Sequence, residues 1–278
     1  MKPFADQVVV ITGASGGIGA ELARQLASQG AWLALAARRA HELDLVAQDC
    51  IARGGRALVV PTDVSDPAQC DRLIAHTMES YGRIDVLVNN AGVGAHFRFE
   101  DATDLGVYER VMRVNYLGSV YMTHSALPAL KASRGRIVAI SSLAGMTGVP
   151  NRTAYAASKH AMIGFFESLR IELDGTGVAV TIICPGFVQT DIRKNALGAD
   201  GKPLGESHLR ESEVMLVDEC VRQSLRAVAH RHRDLVMTPH WTATAIAKVV
   251  APEVVDRIAL RAIQQGASSE EGGASGKG

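Results

Sequence analysis

The sequence predicts an α/β protein, a doubly wound parallel sheet of about seven strands flanked by helices. Three observations favour this fold class. Short apolar segments alternate with longer segments of helical periodicity, the short segments are almost continuously apolar, and several helical segments end at a glycine. Continuous apolarity is typical of parallel strands that are covered on both faces. No linker interrupts the alternation, so we expect a single domain over residues 5–265.

Six apolar segments are the expected strands, in chain order Gln7–Thr12, Ala31–Ala36, Ala57–Val60, Ile84–Val88, Arg136–Ile140 and Val178–Ile183. The first helices are expected at Ile18–Gln29, Glu42–Arg53 and Pro67–Tyr81, each followed by a glycine, at Gly30, Gly54 and Gly82. Repeated strand–helix–strand units join parallel strands by right-handed crossovers.

Three segments lie outside this alternation. Asn195–Ser212, within a substrate loop of about 190–215, is polar, contains glycine and proline, and is expected to form a mobile loop over a ligand. Glu253–Gln264 predicts an amphipathic helix that can cover the pocket, pack on a second subunit or lie on a membrane surface. Its mixed charges make membrane binding the least favoured. Gly266–Gly278 has almost no apolar side chains and is expected to be disordered.

The composition excludes several classes of function. Lys and Arg balance Asp and Glu at 29 each, so no basic surface is indicated for nucleic acid. No apolar stretch reaches the roughly 18–20 residues of a membrane span, and the N-terminus has no apolar signal segment. The four cysteines are far apart and the nine histidines lack ligand spacing, so neither a disulfide framework nor a metal site is indicated. We expect a cytoplasmic protein.

A glycine-rich turn joins the first strand to the first helix, with the sequence Thr12-Gly-Ala-Ser-Gly-Gly-Ile-Gly19. Gly13, Gly17 and Gly19 allow a tight turn and let the backbone approach a pyrophosphate. The helix that follows offers free N–H groups and a positive dipole to that anion. At a first strand–helix junction, this turn predicts a dinucleotide site rather than a plain structural turn.

The end of the second strand indicates which nicotinamide nucleotide is bound. NAD sites place an acid there to accept from the ribose 2′-hydroxyl, whereas this chain has Arg38 and Arg39. Guanidinium groups suit a 2′-phosphate, and Ser15 can add a hydroxyl donor. We therefore expect NADP(H), with Arg38 as the main contact and NAD less favoured. The alternative is a solvated arginine pair at a strand end.

Tyr155 and Lys159 lie four residues apart at the start of a predicted helix, so their side chains share one face. An adjacent ammonium favours the phenolate and lowers the pKa of a tyrosine, which makes it a better acid and base. Ser142 ends the fifth strand at the edge where open α/β sheets bind ligands. The three residues predict a proton-transfer site.

The ordered motifs resemble the short-chain dehydrogenase/reductase family over about residues 5–240. They are the TGxxxGxG turn, Asn89-Asn90-Ala91-Gly92, Asn115, Ser142, Tyr155-x-x-x-Lys159, and Pro185-Gly186 followed by Thr190. The resemblance implies a Rossmann fold and an oxidoreductase. It also implies that Tyr155 exchanges a proton with the substrate oxygen as hydride is transferred. Lys159 would hold the nicotinamide ribose and lower the tyrosine pKa, Ser142 would bind the substrate oxygen, and Asn115 would hold a relay water or satisfy a local carbonyl.

The same resemblance implies the cofactor contacts. Asp63 and Val64 would border the adenine, Asn90 the adenosine, and Thr190 the carboxamide. The full expected set is Gly13, Ser15, Gly17, Ile18, Gly19, Arg38, Asp63, Val64, Asn90, Tyr155, Lys159, Pro185, Gly186, Val188 and Thr190.

The expected substrate is a hydrophobic ketone, aldehyde or alcohol, because the variable segments Val93–Phe99, Ala144–Arg152 and Gln189–Ser212 hold apolar side chains and few charges. The long loop and the C-terminal extension resemble hydroxysteroid-dehydrogenase-like members. A 3-oxoacyl-acyl-carrier-protein reductase is the enzyme alternative, and a non-catalytic NADPH-binding sensor or scaffold is the alternative of another class. By resemblance, the helices containing Asn115–Lys131 and Thr153–Leu173 would pair in a homodimer or homotetramer.

Overall fold

A parallel sheet forms the centre of the molecule. The computed structural model describes residues 2–190, 192–205, 214–237, 247–257 and 260. Seven strands lie in these residues: β1 Val8–Thr12, β2 Trp32–Ala37, β3 Arg56–Pro61, β4 Val86–Asn89, β5 Arg136–Ile140, β6 Ala179–Cys184 and β7 Asp234–Val236. Their spatial order is β3-β2-β1-β4-β5-β6-β7, and each neighbouring pair is parallel. The predicted fold class is confirmed.

The strand order reverses between β1 and β4. Val9 on β1 pairs with Leu33 on β2 on one side and with Val86 on β4 on the other. The chain leaves β1 toward β3 and then returns to the opposite side of β1, so the connections after β1 and β4 run to different faces. This divergence opens a crevice at the carboxyl edge of the sheet, where such folds bind ligands.

Helices cover both faces of the sheet. Packed on one face are α1 Gly17–Ala27, α2 Ala40–Ala52 and α7 Val217–Ala229, and on the other α3 Pro67–Tyr81, α5 Gly118–Ser133 and α6 Thr153–Glu172. The helix α4, Gly106–Met112, packs against α6. Val9 and Ile11 join the first apolar layer and Val10 the second, because successive strand side chains point to opposite faces. Two buried faces explain the nearly continuous apolarity of the strands.

The helix α3 begins and ends where the sequence predicts. The Asp66 carboxylate accepts from the N–H of Ala68 at 2.9 Å, and Pro67 occupies the first turn. Gly82 ends the helix in a left-handed conformation, with φ of 74°, and its N–H donates to the carbonyl of Met78 at 2.8 Å. Gly30 and Gly54 also have positive φ angles, but α1 ends at Ala27 and α2 at Ala52, two residues and one residue before the predicted ends.

Strand β5 has the predicted bounds, and the other predicted strands differ by one or two residues at an end. Strand β4 begins at Val86 rather than Ile84, although Asp85 already contacts β1: its N–H donates to the carbonyl of Val8, and its side chain accepts from the N–H of Val8. Strand β7 spans only Asp234–Val236 and is partly exposed, so no apolar segment of strand length marks it in the sequence.

The polar segment after β6 has no helix or strand among its described residues. Isolated bridges join Leu197 to Ala95 and to Pro203, and residues 206–213 lie outside the described part. Of the predicted C-terminal helix, residues 253–257 and 260 are helical, and 258–259 and 261–264 lie outside the described residues, as does the predicted tail. No helix within the described ranges combines the length and apolarity needed to cross a membrane.

Candidate active site

The glycine turn is closed by hydrogen bonds to the end of β4. The Asn90 side-chain amide donates to the carbonyls of Thr12 at 2.9 Å and Gly13 at 3.2 Å. Gly13 has a φ of 66°, and a Cβ at this residue would lie 2.8 Å from the Cα of Ala91. A Cβ at Gly19 would overlap the carbonyl oxygen of Gly13. The turn therefore requires glycine at both residues.

The N-terminus of α1 has no side-chain cap of its own. Gly16, which precedes the helix, has no side chain that could cap its N–H groups, and no acid lies in the first turn. Thr190 reaches this turn, since a Cβ at Gly17 would lie 3.3 Å from its Cγ2. Uncapped N–H groups and the positive end of a helix dipole are the donors that a pyrophosphate prefers. The donor set fits a dinucleotide.

The two arginines after β2 differ in position. Arg39 donates to the Ser15 hydroxyl at 3.2 Å and lies 3.4 Å from the Glu42 carboxylate. Arg38, which the sequence indicated as the main phosphate contact, is exposed beside it. Of the two arginines, Arg39 rather than Arg38 contacts the glycine turn.

The remaining predicted cofactor residues follow the carboxyl ends of strands. After β3, the Asp63 carboxylate accepts from the N–H and the hydroxyl of Ser65, and Val64 is buried. After β6, Pro185 accepts from the N–H of Leu143 at 3.1 Å, Gly186 is half-buried, and Val188 bridges to Met215. Ile18 lies partly buried in the first turn of α1, against the core. All these residues therefore lie along one edge of the sheet.

Ser142, Tyr155 and Lys159 meet at that same edge. Ser142 follows β5, where its hydroxyl accepts from the N–H of Ala144 at 3.2 Å and starts a short turn. Its hydroxyl also interacts with the side chain of Tyr155, in the first turn of α6, and this interaction lowers the pKa of Tyr155. Lys159 lies one helical turn further, with Nζ 5.8 Å from the centroid of the Tyr155 ring. The predicted grouping of the three side chains is thus observed.

Lys159 is buried, with 3% of its surface exposed. Its Nζ donates to the carbonyl of Ile140 at 2.9 Å and approaches Met162 Sδ at 3.4 Å. Burial lowers the pKa of Lys159 to about 8, because the ammonium loses its hydration. A group with this pKa can lose and regain a proton near neutral pH.

Burial raises the pKa of Tyr155 above its usual value, and nearby groups oppose this effect. The opposing groups are the charge of Arg152, the hydrogen bond with Ser142 and the charge of Arg193, in that order. Lys159, which was expected to lower this pKa, is not among these groups, and its ammonium donates to the carbonyl of Ile140. The two arginines were not identified from the sequence, since neither belongs to a motif.

Asn115 lies in a π-helical turn, Arg113–Leu117, between α4 and α5. Its side chain accepts from the N–H of Val93 at 2.8 Å and donates to the carbonyl of Val93 and to the hydroxyl of Ser158. A Cβ at Gly92 would lie 3.3 Å from Asn115 Oδ1 and 3.7 Å from Lys159 Nζ. Asn115 therefore holds the segment after β4 beside Lys159, and the relay water stays a prediction.

Comparison with known proteins assigns the family. A family model described as short chain dehydrogenase matches residues 7–200. The chain belongs to the short-chain dehydrogenase/reductase family. It is therefore an oxidoreductase of a family that binds nicotinamide nucleotides. No cluster of three or more His, Cys, Asp or Glu side chains suited to a metal occurs in the part of this dehydrogenase that the structure describes.

Several relatives of this short-chain dehydrogenase are named hydroxysteroid dehydrogenases. The chain is 38% identical over 258 residues to 11-beta-hydroxysteroid dehydrogenase 1A of Arabidopsis thaliana, covering 90% of this chain and 73% of that protein. It is 40% identical over 233 residues to dehydrogenase/reductase SDR family member 7 of Homo sapiens, covering 82% and 68%.

Two solved structures of similar fold carry different cofactors. A short chain dehydrogenase/reductase from Burkholderia phymatum, in complex with NAD, has a TM-score of 0.79 at 27% identity, over 91% of this chain and 96% of that one. An alcohol dehydrogenase from the archaeon Thermococcus sibiricus, complexed with 5-hydroxy-NADP, has a TM-score of 0.71 at 27% identity, over 83% and 95%.

Proposed function

We propose that this chain is an NADP(H)-dependent oxidoreductase that interconverts a carbonyl and a secondary or primary alcohol on a hydrophobic small molecule, with Tyr155 as the acid and base. The grouping of Ser142, Tyr155 and Lys159 carries the proposal, because it places two hydroxyl groups and an ammonium together at the ligand-binding edge of the sheet. The relatives that are named hydroxysteroid dehydrogenases support an apolar alcohol or ketone as the substrate.

In the reduction direction, Tyr155 donates its hydroxyl proton to the carbonyl oxygen, and the Ser142 hydroxyl donates a hydrogen bond to the same oxygen. The nicotinamide, when bound, supplies the hydride. The charges of Arg152 and Arg193 stabilise the phenolate that remains. With a pKa of about 8, Lys159 can pass a proton back toward Tyr155, through a water held near Asn115. Oxidation of the alcohol reverses these steps.

The chain's own residues would hold the cofactor along the carboxyl edge of the sheet. The glycine turn and the N-terminus of α1 would bind the pyrophosphate, and Lys159 the ribose of the nicotinamide. Arg38, Arg39 and Ser15 would bind the 2′-phosphate of NADP, which suits paired guanidinium donors. The contact between Arg39 and Ser15 supports this assignment, because it orients two of the three donors over the turn.

We further propose that the protein works in the cytoplasm as a homodimer or homotetramer that pairs through α5 and α6. The four cysteines are free and buried, which is compatible with a reducing compartment.

A panel of carbonyl compounds tests the proposed reaction. We expect the purified protein to consume NADPH with bulky apolar ketones, followed by the absorbance of NADPH, and to form NADPH from NADP⁺ with the matching alcohols. Turnover restricted to an acetoacetyl thioester would instead favour the acyl-carrier-protein reductase. Tight NADPH binding without turnover of any compound would favour the non-catalytic sensor.

Removal of the arginines after β2 tests the cofactor assignment. In each of the single variants Arg38→Ala and Arg39→Ala, we expect the KM for NADPH to rise about 10- to 100-fold. The reason is the loss of charge-assisted hydrogen bonds to the 2′-phosphate. The KM for NADH should change little, since NADH has no phosphate at this position. Steady-state rates measured with each cofactor give the ratio of the KM for NADPH to the KM for NADH. An equal loss with NADH and NADPH would contradict the assignment.

A further inference from the structure

Two arginines from separate segments converge on Tyr155. Arg152 precedes the first turn of α6, with its guanidinium carbon 5.9 Å from the centroid of the Tyr155 ring. Arg193 follows β6, and its guanidinium carbon lies 5.1 Å from the centroid of the Phe187 ring. The charges of both lower the pKa of Tyr155, and the charge of Arg152 lowers the pKa of Arg193. Residues 94–97 join the two segments beside the proposed acid. The N–H of Phe97 donates to the carbonyl of Asn151 at 2.8 Å, and a Cβ at Gly94 would lie 3.3 Å from the carbonyl oxygen of Ile192.

Neither arginine has a carboxylate partner among the residues that the structure describes. Ion pairs within those ranges involve other arginines, such as Arg170 with Asp234 and Arg83 with Asp85. Arg152 and Arg193 are half-buried, and loss of hydration lowers the pKa of both. Two partly dehydrated positive charges side by side repel each other unless an anion joins them.

We propose, resting on the proposed function, that the substrate carries an anionic oxygen group near its reacting carbon, a carboxylate or a phosphate ester, which Arg152 and Arg193 bind together. Planar guanidinium groups bind both kinds of oxyanion in paired, charge-assisted hydrogen bonds. The exposed ring of Phe187, which Arg193 covers, would contact the apolar body of the same molecule. The substrate is then amphipathic, with its charge at the end held beside Tyr155.

Matched pairs of substrates test this subsite. Benzoylformate is compared with its methyl ester, and dihydroxyacetone phosphate with dihydroxyacetone, in NADPH-dependent reduction. In at least one pair, we expect kcat/KM to be about 10- to 100-fold higher for the anion, as for one or two charge-assisted hydrogen bonds. The pair that shows the preference identifies the group as carboxylate or phosphate.

Substitution of the arginines locates the preference. In the Arg152→Met and Arg193→Met double variant, we expect the ratio of kcat/KM for the anion to kcat/KM for its neutral partner to fall about 10-fold or more. Any effect of the substitutions on the pKa of Tyr155 acts on both members of a pair, so the ratio isolates the contact with the anion. Arg53→Met, an exposed arginine at the end of α2, should leave the ratio unchanged.

A binding measurement separates failure of this inference from failure of the proposed function. Benzoylformate and dihydroxyacetone phosphate are titrated calorimetrically into the protein with NADP⁺, which cannot reduce them. Binding that the double variant loses supports the subsite even if no carbonyl compound is turned over. No preference for either anion, or an equal loss for anion and neutral partner, would overturn the subsite while leaving the reaction at Tyr155 intact.

Discussion

Tyr155→Phe should lower kcat for carbonyl reduction by about 10²- to 10⁴-fold, the contribution typical of a positioned general acid. The substitution removes the proton donor and its interaction with the Ser142 hydroxyl, and keeps the ring that packs in the site. We expect NADPH to bind as in the unsubstituted protein, because the glycine turn and the arginines after β2 are unchanged. Steady-state consumption of NADPH measures the rate, and the fluorescence of bound NADPH measures the affinity.

Tyr81→Phe is the matched control for this experiment. The Tyr81 hydroxyl donates to the carbonyl of Leu33 at 3.3 Å, and Tyr81 ends α3, away from the site. Loss of that hydroxyl should leave kcat unchanged. Turnover by Tyr155→Phe at the rate of the unsubstituted protein would refute the assignment of the acid, and the reduction would then need another proton donor.

The fold could be predicted largely because its strands are buried on both faces. That burial makes β1, β2, β5 and β6 stand out as short apolar segments, and glycines mark the helix ends between them. Ser142 and Tyr155 could be grouped because both follow carboxyl ends of a parallel sheet, where distant chain segments meet. In such a fold, strand order alone brings the proposed catalytic side chains together.

The charges around the site could not be predicted in the same way. The charge of Arg193 acts on Tyr155 because the segment after β6 folds back to pair with Ala95, and no periodicity in the sequence describes that path. Arg38 and Arg39 are adjacent in the chain, and only the backbone at the end of β2 decides which one contacts Ser15. The role expected of Lys159 depended on its spacing from Tyr155, whereas its hydrogen bond to Ile140 depends on three-dimensional packing.

Gly19→Ala should destabilise the protein even without cofactor. A Cβ at this residue would overlap the carbonyl oxygen of Gly13 and the amide of Asn90, which together close the turn between β1 and α1. The backbone must shift, because a carbonyl oxygen has no rotamer by which to move away. We expect the free energy of unfolding to fall by about 2–4 kcal/mol, from overpacking and a weakened hydrogen bond. Thermal unfolding should show this as a midpoint lower by about 5 °C or more.

Gly16→Ala, in the same turn, separates this steric effect from a general need for glycine. Gly16 has an extended backbone, with φ of −179°, and the one described group within 4 Å of a Cβ there would be the Arg39 guanidinium, at 3.9 Å. We expect its unfolding midpoint to stay within about 2 °C of the unsubstituted protein, since extended backbone suits any residue and the added methyl group has space. If both variants unfold at the same temperature, close packing of Gly19 on Gly13 is not what closes the turn.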